Sequence, residues 1–143
     1  MNRRHLIATL ALGLLSPIFA KAGDFPKGSP DFKTSYAAAL KAAKESGKPL
    51  ILVFSASWCP PCQTNKKSVY PSAGVKPYHD KFVWACLDAD DKENMPAMEK
   101  FGVNGIPHIE ILNKDGKSIG QAIGGTSGAA FAKVLEAAVQ KSK

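Results

Sequence analysis

The stretch LILVFSASWCPPC, residues 50–62, decides how this chain folds. It begins with an unbroken apolar run between Pro49 and Ser55, which is typical of a strand buried on both faces of an α/β sheet. Two cysteines, Cys59 and Cys62, follow this run, and the polar residues after them predict a helix. The cysteine pair is therefore expected where a central strand turns into a helix.

Further helix and strand patterns stand on both sides of this stretch. Apolar spacing predicts a first helix over residues 35–46. Downstream, the patterns predict strands over residues 82–88, 106–112 and 117–123, a short helix over 95–101 and a closing helix over 127–141. The turn sequence between the last two strands makes them an antiparallel hairpin. This order predicts an α/β fold, with a four-stranded mixed sheet and helices on both faces.

The N-terminus has the pattern of an export signal. A short basic start precedes the apolar run of residues 6–19, and Ala20-Lys21-Ala22 fits a small-x-small cleavage site. As a helix, the apolar run would reach about 21 Å, against a hydrocarbon core of roughly 30 Å. A cleaved signal is therefore favoured over a membrane anchor, and we expect a periplasmic or secreted protein.

Charge and length limit the remaining possibilities. The 143 residues carry a formal charge of +7, and removal of residues 1–22 lowers it to +4, because that segment holds three basic residues and no acidic one. The basic residues lack interleaved aromatic residues, so we expect no nucleic-acid partner. The expected organisation is a signal peptide over residues 1–22, an extended lead-in over 23–34 and a single domain over 35–143, which we expect to be a monomer.

The cysteine spacing and its context point to redox chemistry. A cysteine at a helix N-terminus is stabilised as a thiolate by free backbone N–H groups and by the helix dipole, which makes Cys59 the expected nucleophile. Cys62, one turn into the same helix, would resolve the mixed disulfide that Cys59 forms with a substrate. Trp58 is expected to support the site as an apolar contact. A plain structural disulfide or half of a zinc site is the alternative for the pair.

Three motifs resemble those of the thioredoxin superfamily: Trp58-Cys59-Pro60-Pro61-Cys62, Gly105-Ile106-Pro107 and Gly124-Gly125. The chain looks most like exported thioredoxin-like proteins related to the C-terminal domain of the periplasmic disulfide-reducing transporter. The resemblance implies a thioredoxin fold over residues 35–143. It also implies that Pro107 is cis and lies against the cysteine pair, and that the backbone of Ile106 pairs with an extended substrate segment.

Two positions depart from the thioredoxin pattern. Thioredoxins carry a buried aspartate where this chain has Val53, and a lysine on the next strand where Trp84 is aligned. Water, the substrate or another acid must therefore assist proton transfer at Cys62. Glu110 is a candidate acid, but an outward-facing position is favoured for it, because Ile109 and Ile111 would then take the core face.

The residues between the cysteines indicate the direction of electron flow. Strongly oxidising relatives carry a histidine there, whereas Pro60 and Pro61 bring neither charge nor a backbone N–H. The Cys62 N–H is then the main donor near the Cys59 sulfur. This predicts a moderate thiolate pKa and favours a reductase or isomerase over an oxidant.

Together these observations predict an exported thiol-disulfide oxidoreductase that acts on protein disulfides through Cys59 and Cys62, without a bound cofactor or metal. Its electrons would come from an upstream thiol donor, such as a membrane disulfide reductase. The alternatives are a thiol-based copper chaperone and a redox-inert binding module with the same fold. Cys86 is expected to be a buried strand residue, and His108 a polar residue at a strand start.

Overall fold

The computed structural model describes residues 25–143, so the signal peptide expected over residues 1–22 lies outside the described part. A mixed sheet of five strands forms the centre, in the order β1-β3-β2-β4-β5. The strands are β1 (Phe32–Lys33), β2 (Leu50–Ser55), β3 (Val83–Asp88), β4 (His108–Leu112) and β5 (Ser118–Ile123). The helices are α1 (Tyr36–Ser46), α2 (Pro60–Thr64), α3 (Met95–Lys100) and α4 (Gly128–Lys141), with a π-helical turn at Asn65–Val69 and 3-10 turns at Lys76–Lys81 and Lys92–Asn94.

The sheet has one strand more than the sequence predicts. β2 pairs parallel with β3 and antiparallel with β4, and β4 and β5 form the predicted antiparallel hairpin. The additional strand, β1, lies at the end of the predicted lead-in and pairs parallel with β3, with Phe32 opposite Trp84. A strand of two residues is too short to show any alternation of polar and apolar residues, so the sequence pattern does not reveal it.

β2 is buried on both faces, as its apolar sequence predicts. Ile51 and Val53 face the cluster that contains Phe131 of α4. The alternate residues of β2, including Leu52, face the cluster that contains Ala39 of α1. Helices on both sides of the sheet therefore hold the strand that leads into the cysteine motif.

Local signals fix where α1 begins and ends. The Ser35 hydroxyl accepts a hydrogen bond from the Ala38 N–H at 3.2 Å, which caps the N-terminus of the helix. Gly47 ends it with a φ of 71°, a backbone conformation that favours glycine. The chain then enters β2 at Leu50.

Within residues 25–143, no helix combines the length and apolar character needed to cross a membrane.

Candidate active site

Cys59 and Cys62 form a disulfide at the start of α2. Their sulfurs are 2.11 Å apart. Cys59 is the N-cap residue of α2, with extended backbone angles, and Pro60 and Pro61 follow as the first helical residues. The Cys62 N–H donates a hydrogen bond to the Cys59 Sγ at 3.3 Å. The predicted position at a helix N-terminus and the predicted donor are both confirmed.

The Ile106–Pro107 segment lies against the cysteine pair. The peptide bond between these two residues is cis, as the family resemblance implied. The Ile106 carbonyl oxygen lies 3.7 Å from the Cys59 Sγ. The Pro107 carbonyl accepts a hydrogen bond from the Gly124 N–H at 2.8 Å, which links this segment to the glycine pair after β5. All three sequence motifs therefore meet at one edge of the sheet.

In the disulfide form, both cysteines are almost completely covered. Cys59 is 3% exposed and Cys62 2% exposed. The half-buried Ile106 packs against both cysteines and Ala56. The Ile106 side chain therefore covers part of the disulfide.

Trp58, the residue before Cys59, lies at the surface. It is 65% exposed, an unusual position for a large apolar side chain. Its indole N–H donates a hydrogen bond to the Asp90 Oδ2 at 2.7 Å, which holds the ring in one orientation. Pro60 and Pro61 are also exposed, so an apolar surface surrounds the cysteine pair.

The structure corrects the expectation for Glu110. Glu110 is only 4% exposed, so it does not face outward to solvent. It pairs with Leu52 of β2, whereas Val53 pairs with Ile109, and the two faces of a strand alternate. Glu110 therefore points to the sheet face opposite Val53, and it does not take the place of the aspartate that thioredoxins carry there. The sequence prediction missed its burial, because the α1 side of β4 is covered as well.

His108 is also more buried than a residue at a strand start is expected to be. It is 3% exposed, and its Nε2 is hydrogen-bonded to Glu110 Oε2 at 2.9 Å. The ring packs edge-to-face against Phe54, with 5.9 Å between the ring centroids. The polar side chain of His108 is thus paired inside the protein, with Glu110 two residues further along the same strand.

Asn65 was not singled out from the sequence, although it links two parts of the site. It is fully buried at the end of α2. Its side-chain amide donates to the Gly124 carbonyl at 3.4 Å and accepts from the Thr126 N–H at 3.2 Å. The helix that carries Cys62 is thereby tied to the loop after β5. An asparagine within a helical stretch was the only available signal, because asparagine is a poor helix former.

Cys86 lies apart from the disulfide. It is opposite Val53 on β3, while Trp84 is opposite Ile51. Burial raises the pKa of the Cys86 thiol from 9.0 to about 11, with Lys66 opposing the shift and Asp88 adding to it. Cys86 lies on a strand as expected, but it is half-buried rather than buried. A thiol that stays protonated at neutral pH is a weak nucleophile.

Potential metal ligands are scattered over the described part of the chain. His108 is bonded to Glu110, and the ring of His79 to the Tyr70 carbonyl. Within residues 25–143, no group of three or more His, Cys, Asp or Glu side chains is close enough together to hold a metal ion.

Comparison with known proteins identifies the family. The thioredoxin-like domain family matches residues 36–139. The chain belongs to this family. Among curated thioredoxin-like relatives, it is 31% identical over 124 residues to the chloroplastic thioredoxin-like protein HCF164 of Arabidopsis thaliana, covering 87% of this chain and 46% of that protein. It is 28% identical over 123 residues to the thiol:disulfide interchange protein TxlA homolog of Synechocystis, covering 85% of this chain and 67% of that protein.

Solved structures place this thioredoxin-like domain in the thioredoxin fold. A thioredoxin from Thermus thermophilus superimposes with a TM-score of 0.71 at 25% identity, covering 80% of this chain and 90% of that one. The oxidised C-terminal domain of DsbD from Neisseria meningitidis superimposes with a TM-score of 0.62 at 21% identity, covering 74% and 97%. The predicted thioredoxin fold is confirmed. The chain spans less than half the length of HCF164.

Proposed function

We propose that this protein is an exported thiol-disulfide oxidoreductase that reduces protein disulfides through Cys59 and Cys62. The observation that carries the proposal is the Cys59–Cys62 disulfide at the start of α2, with the Cys62 N–H directed at the Cys59 sulfur. Trp58, Pro60 and the rest of the motif support it, as does the similarity to a thiol:disulfide interchange protein.

The proposed reaction is a pair of thiol-disulfide exchanges. In the reduced protein, the Cys59 thiolate attacks one sulfur of a substrate disulfide, and the other substrate sulfur leaves as a thiolate. Cys62 then loses its proton and attacks Cys59, which releases the substrate as a dithiol and restores the disulfide. Two electrons pass to the substrate, and an external dithiol supplies them for the next cycle.

The substrate is proposed to lie across the Ile106–Pro107 segment. The Ile106 carbonyl points toward the Cys59 sulfur, so an extended peptide that pairs with Ile106 would bring its own disulfide to the nucleophile. Trp58, Pro60 and Pro61, which are exposed next to the cysteines, would contact the side chains that flank the substrate disulfide. No bound cofactor is part of the proposed reaction.

Insulin reduction with dithiothreitol as the electron donor tests this function. We expect the wild-type protein to accelerate precipitation of the insulin B chain and the Cys59→Ser variant to lose this activity. Cys86→Ala serves as the matched control, because it removes a cysteine that lies outside the disulfide, and its rate should equal that of the wild type. Equal rates for Cys59→Ser and the wild type would overturn the proposal in favour of a redox-inert module.

The direction of electron flow is proposed to be reductive. Pro60 and Pro61 add no cation beside Cys59, so the reduced form gains no histidine-type stabilisation of the thiolate. Equilibration of the purified protein with glutathione redox buffers measures the reduction potential. A value near that of thioredoxin supports a reductase, and a value near that of the strong oxidant DsbA contradicts it.

The protein is proposed to act in the periplasm or outside the cell, as a monomer that receives electrons from a membrane thiol donor. Expression of the full chain in a bacterium, followed by fractionation and mass spectrometry, should give a periplasmic product that begins at Gly23.

Substrate proteins can be identified by trapping them. The Cys62→Ser variant cannot resolve mixed disulfides, so it should retain its protein substrates covalently on Cys59. The Cys59→Ser/Cys62→Ser double variant is the control that should retain none.

A further inference from the structure

Two polar side chains are buried next to each other on β4. His108 Nε2 lies 2.9 Å from Glu110 Oε2, and both residues are less than 5% exposed. The other carboxylate oxygen of Glu110, Oε1, accepts a hydrogen bond from the Ser118 hydroxyl of β5. These three residues, His108, Glu110 and Ser118, form a hydrogen-bonded row that we call the β4 polar chain.

Stability alone does not account for the β4 polar chain. Burying a carboxylate and an imidazole removes their hydration, and replacing such a pair by apolar residues of similar volume is often neutral or stabilising. The other three residues of β4, Ile109, Ile111 and Leu112, are apolar and fully buried. Burial of β4 therefore does not by itself require a polar pair at positions 108 and 110, which points to a role beyond stability.

The β4 polar chain ends beside the proposed substrate segment. His108 directly follows Pro107, whose carbonyl is fixed by the Gly124 N–H. The His108 ring also packs edge-to-face against Phe54 of β2, the strand that leads to Cys59. His108 thus joins the strand that delivers the cysteine pair, through its ring, to the segment that lies against that pair, through its backbone.

We propose that the β4 polar chain positions the Ile106–Pro107 segment for protein substrates, which makes His108 and Glu110 positioning residues. Ser118 fixes the Glu110 carboxylate, the carboxylate fixes the His108 ring, and the ring fixes the first residue of β4. Ile106 is only two residues before His108 in the chain. Small shifts at His108 therefore reach the peptide group beside Cys59. This inference rests on the function proposed above.

A comparison of two disulfide substrates tests the proposal. Insulin is a protein substrate that would pair with Ile106, whereas 5,5′-dithiobis(2-nitrobenzoate) is a small aromatic disulfide with no peptide segment to pair. We expect Glu110→Leu to raise the KM for insulin about three- to tenfold, the equivalent of one lost hydrogen bond, with little change in kcat. The rate with the small disulfide should stay within about twofold of the wild-type rate.

Matched variants separate positioning from a general loss of stability. Glu110→Gln keeps the shape of the side chain and a hydrogen-bonding group for each partner, with its NH2 donating to one of them, and Ser118→Thr keeps the hydroxyl, so both should retain the wild-type KM for insulin. Ser118→Ala removes one anchor at an exposed residue and should raise that KM, which decides the proposal even if Glu110→Leu does not fold. Ile111→Val, on the other face of β4, should lower stability without changing the KM.

Three results would overturn the inference: a wild-type KM for insulin in Ser118→Ala, an equal loss of rate with both disulfides, or a rise in KM for Ile111→Val as large as for Ser118→Ala. A wild-type protein that is inactive with both disulfides would instead overturn the proposed function, and this inference with it. Failure of the positioning role and failure of the catalytic role are therefore distinguishable.

Discussion

The sulfur of Cys59 lies 3.7 Å from the carbonyl oxygen of Ile106, although 47 positions separate the two residues. β2 and β4 are antiparallel neighbours, so the end of β2 and the start of β4 meet at the same edge of the sheet. The side chain of Ile106 also packs against both cysteines. Ile106 thus covers the disulfide with its side chain and places its backbone carbonyl next to the Cys59 sulfur.

Trimming Ile106 should open the disulfide. In Ile106→Ala the cover over Cys59 shrinks, so we expect dithiothreitol to reduce the Cys59–Cys62 disulfide about two- to fivefold faster, because access limits the exchange rate. Stopped-flow tryptophan fluorescence follows the reaction. Met95→Ala is the matched control, since it trims an exposed apolar residue outside the site. An unchanged or slower rate in Ile106→Ala would show that Ile106 does not control access.

A histidine between the cysteines should make the protein more oxidising. In Pro61→His, a cationic ring beside Cys59 would stabilise the thiolate, lower the pKa of Cys59 and raise the reduction potential by about 30 mV or more. Equilibration with glutathione redox buffers measures the change. Pro61→Gln is the uncharged control and should shift the potential less. Equal potentials in the two variants would rule out the charge as the cause.

Loss of the Asn65 side chain should destabilise the fold. Asn65→Ala leaves the half-buried Gly124 carbonyl and Thr126 N–H without their partner, so we expect a loss of about 1 kcal/mol or more in the free energy of unfolding. Urea denaturation measures it. Thr64→Ala, at the neighbouring exposed position, should cost less than about 0.5 kcal/mol. Similar losses for both variants would contradict a specific linking role for Asn65.

Alkaline pH should weaken the fold through Cys86. Its pKa is raised in the folded state to about 11, above the ordinary value of 9.0, so the unfolded chain releases this proton first as the pH rises. The contribution of Cys86 is complete below pH 9 and is lost as the pH rises toward 11, by on the order of 1 kcal/mol because solvent screens the partly exposed side chain.

Urea midpoints at pH 8 and pH 10.5 measure this loss. We expect the difference between the two midpoints to be smaller in Cys86→Ala than in the wild type, because the variant has no thiol to titrate. Burial also raises the pKa of Tyr70, which adds a loss in the same direction at still higher pH in both proteins. An identical difference in wild type and variant would exclude Cys86 as the source.

Local patterns were sufficient for most of the elements. β2 was predictable because a buried strand needs a continuous apolar run, and α1 because Ser35 and Gly47 give capping signals within the helix's own sequence. The hairpin of β4 and β5 followed from the turn sequence between them. The candidate cysteine pair was predictable as well, since its position at a helix N-terminus depends only on neighbouring residues.

Contacts between distant segments decided what local patterns could not. Phe32 pairs with Trp84 on a separate strand. Glu110 is buried between His108 and Ser118, and Asn65 links α2 to the loop after β5. Each of these features depends on residues that lie in another element or that cover the side chain. A hydrogen bond between side chains of separate strands produces no periodic pattern in the sequence, so local spacing does not predict it. The amino-acid sequence therefore determined which residues form the redox motif, and tertiary packing alone decided how deeply the Cys59 sulfur is covered and what holds Ile106 beside it.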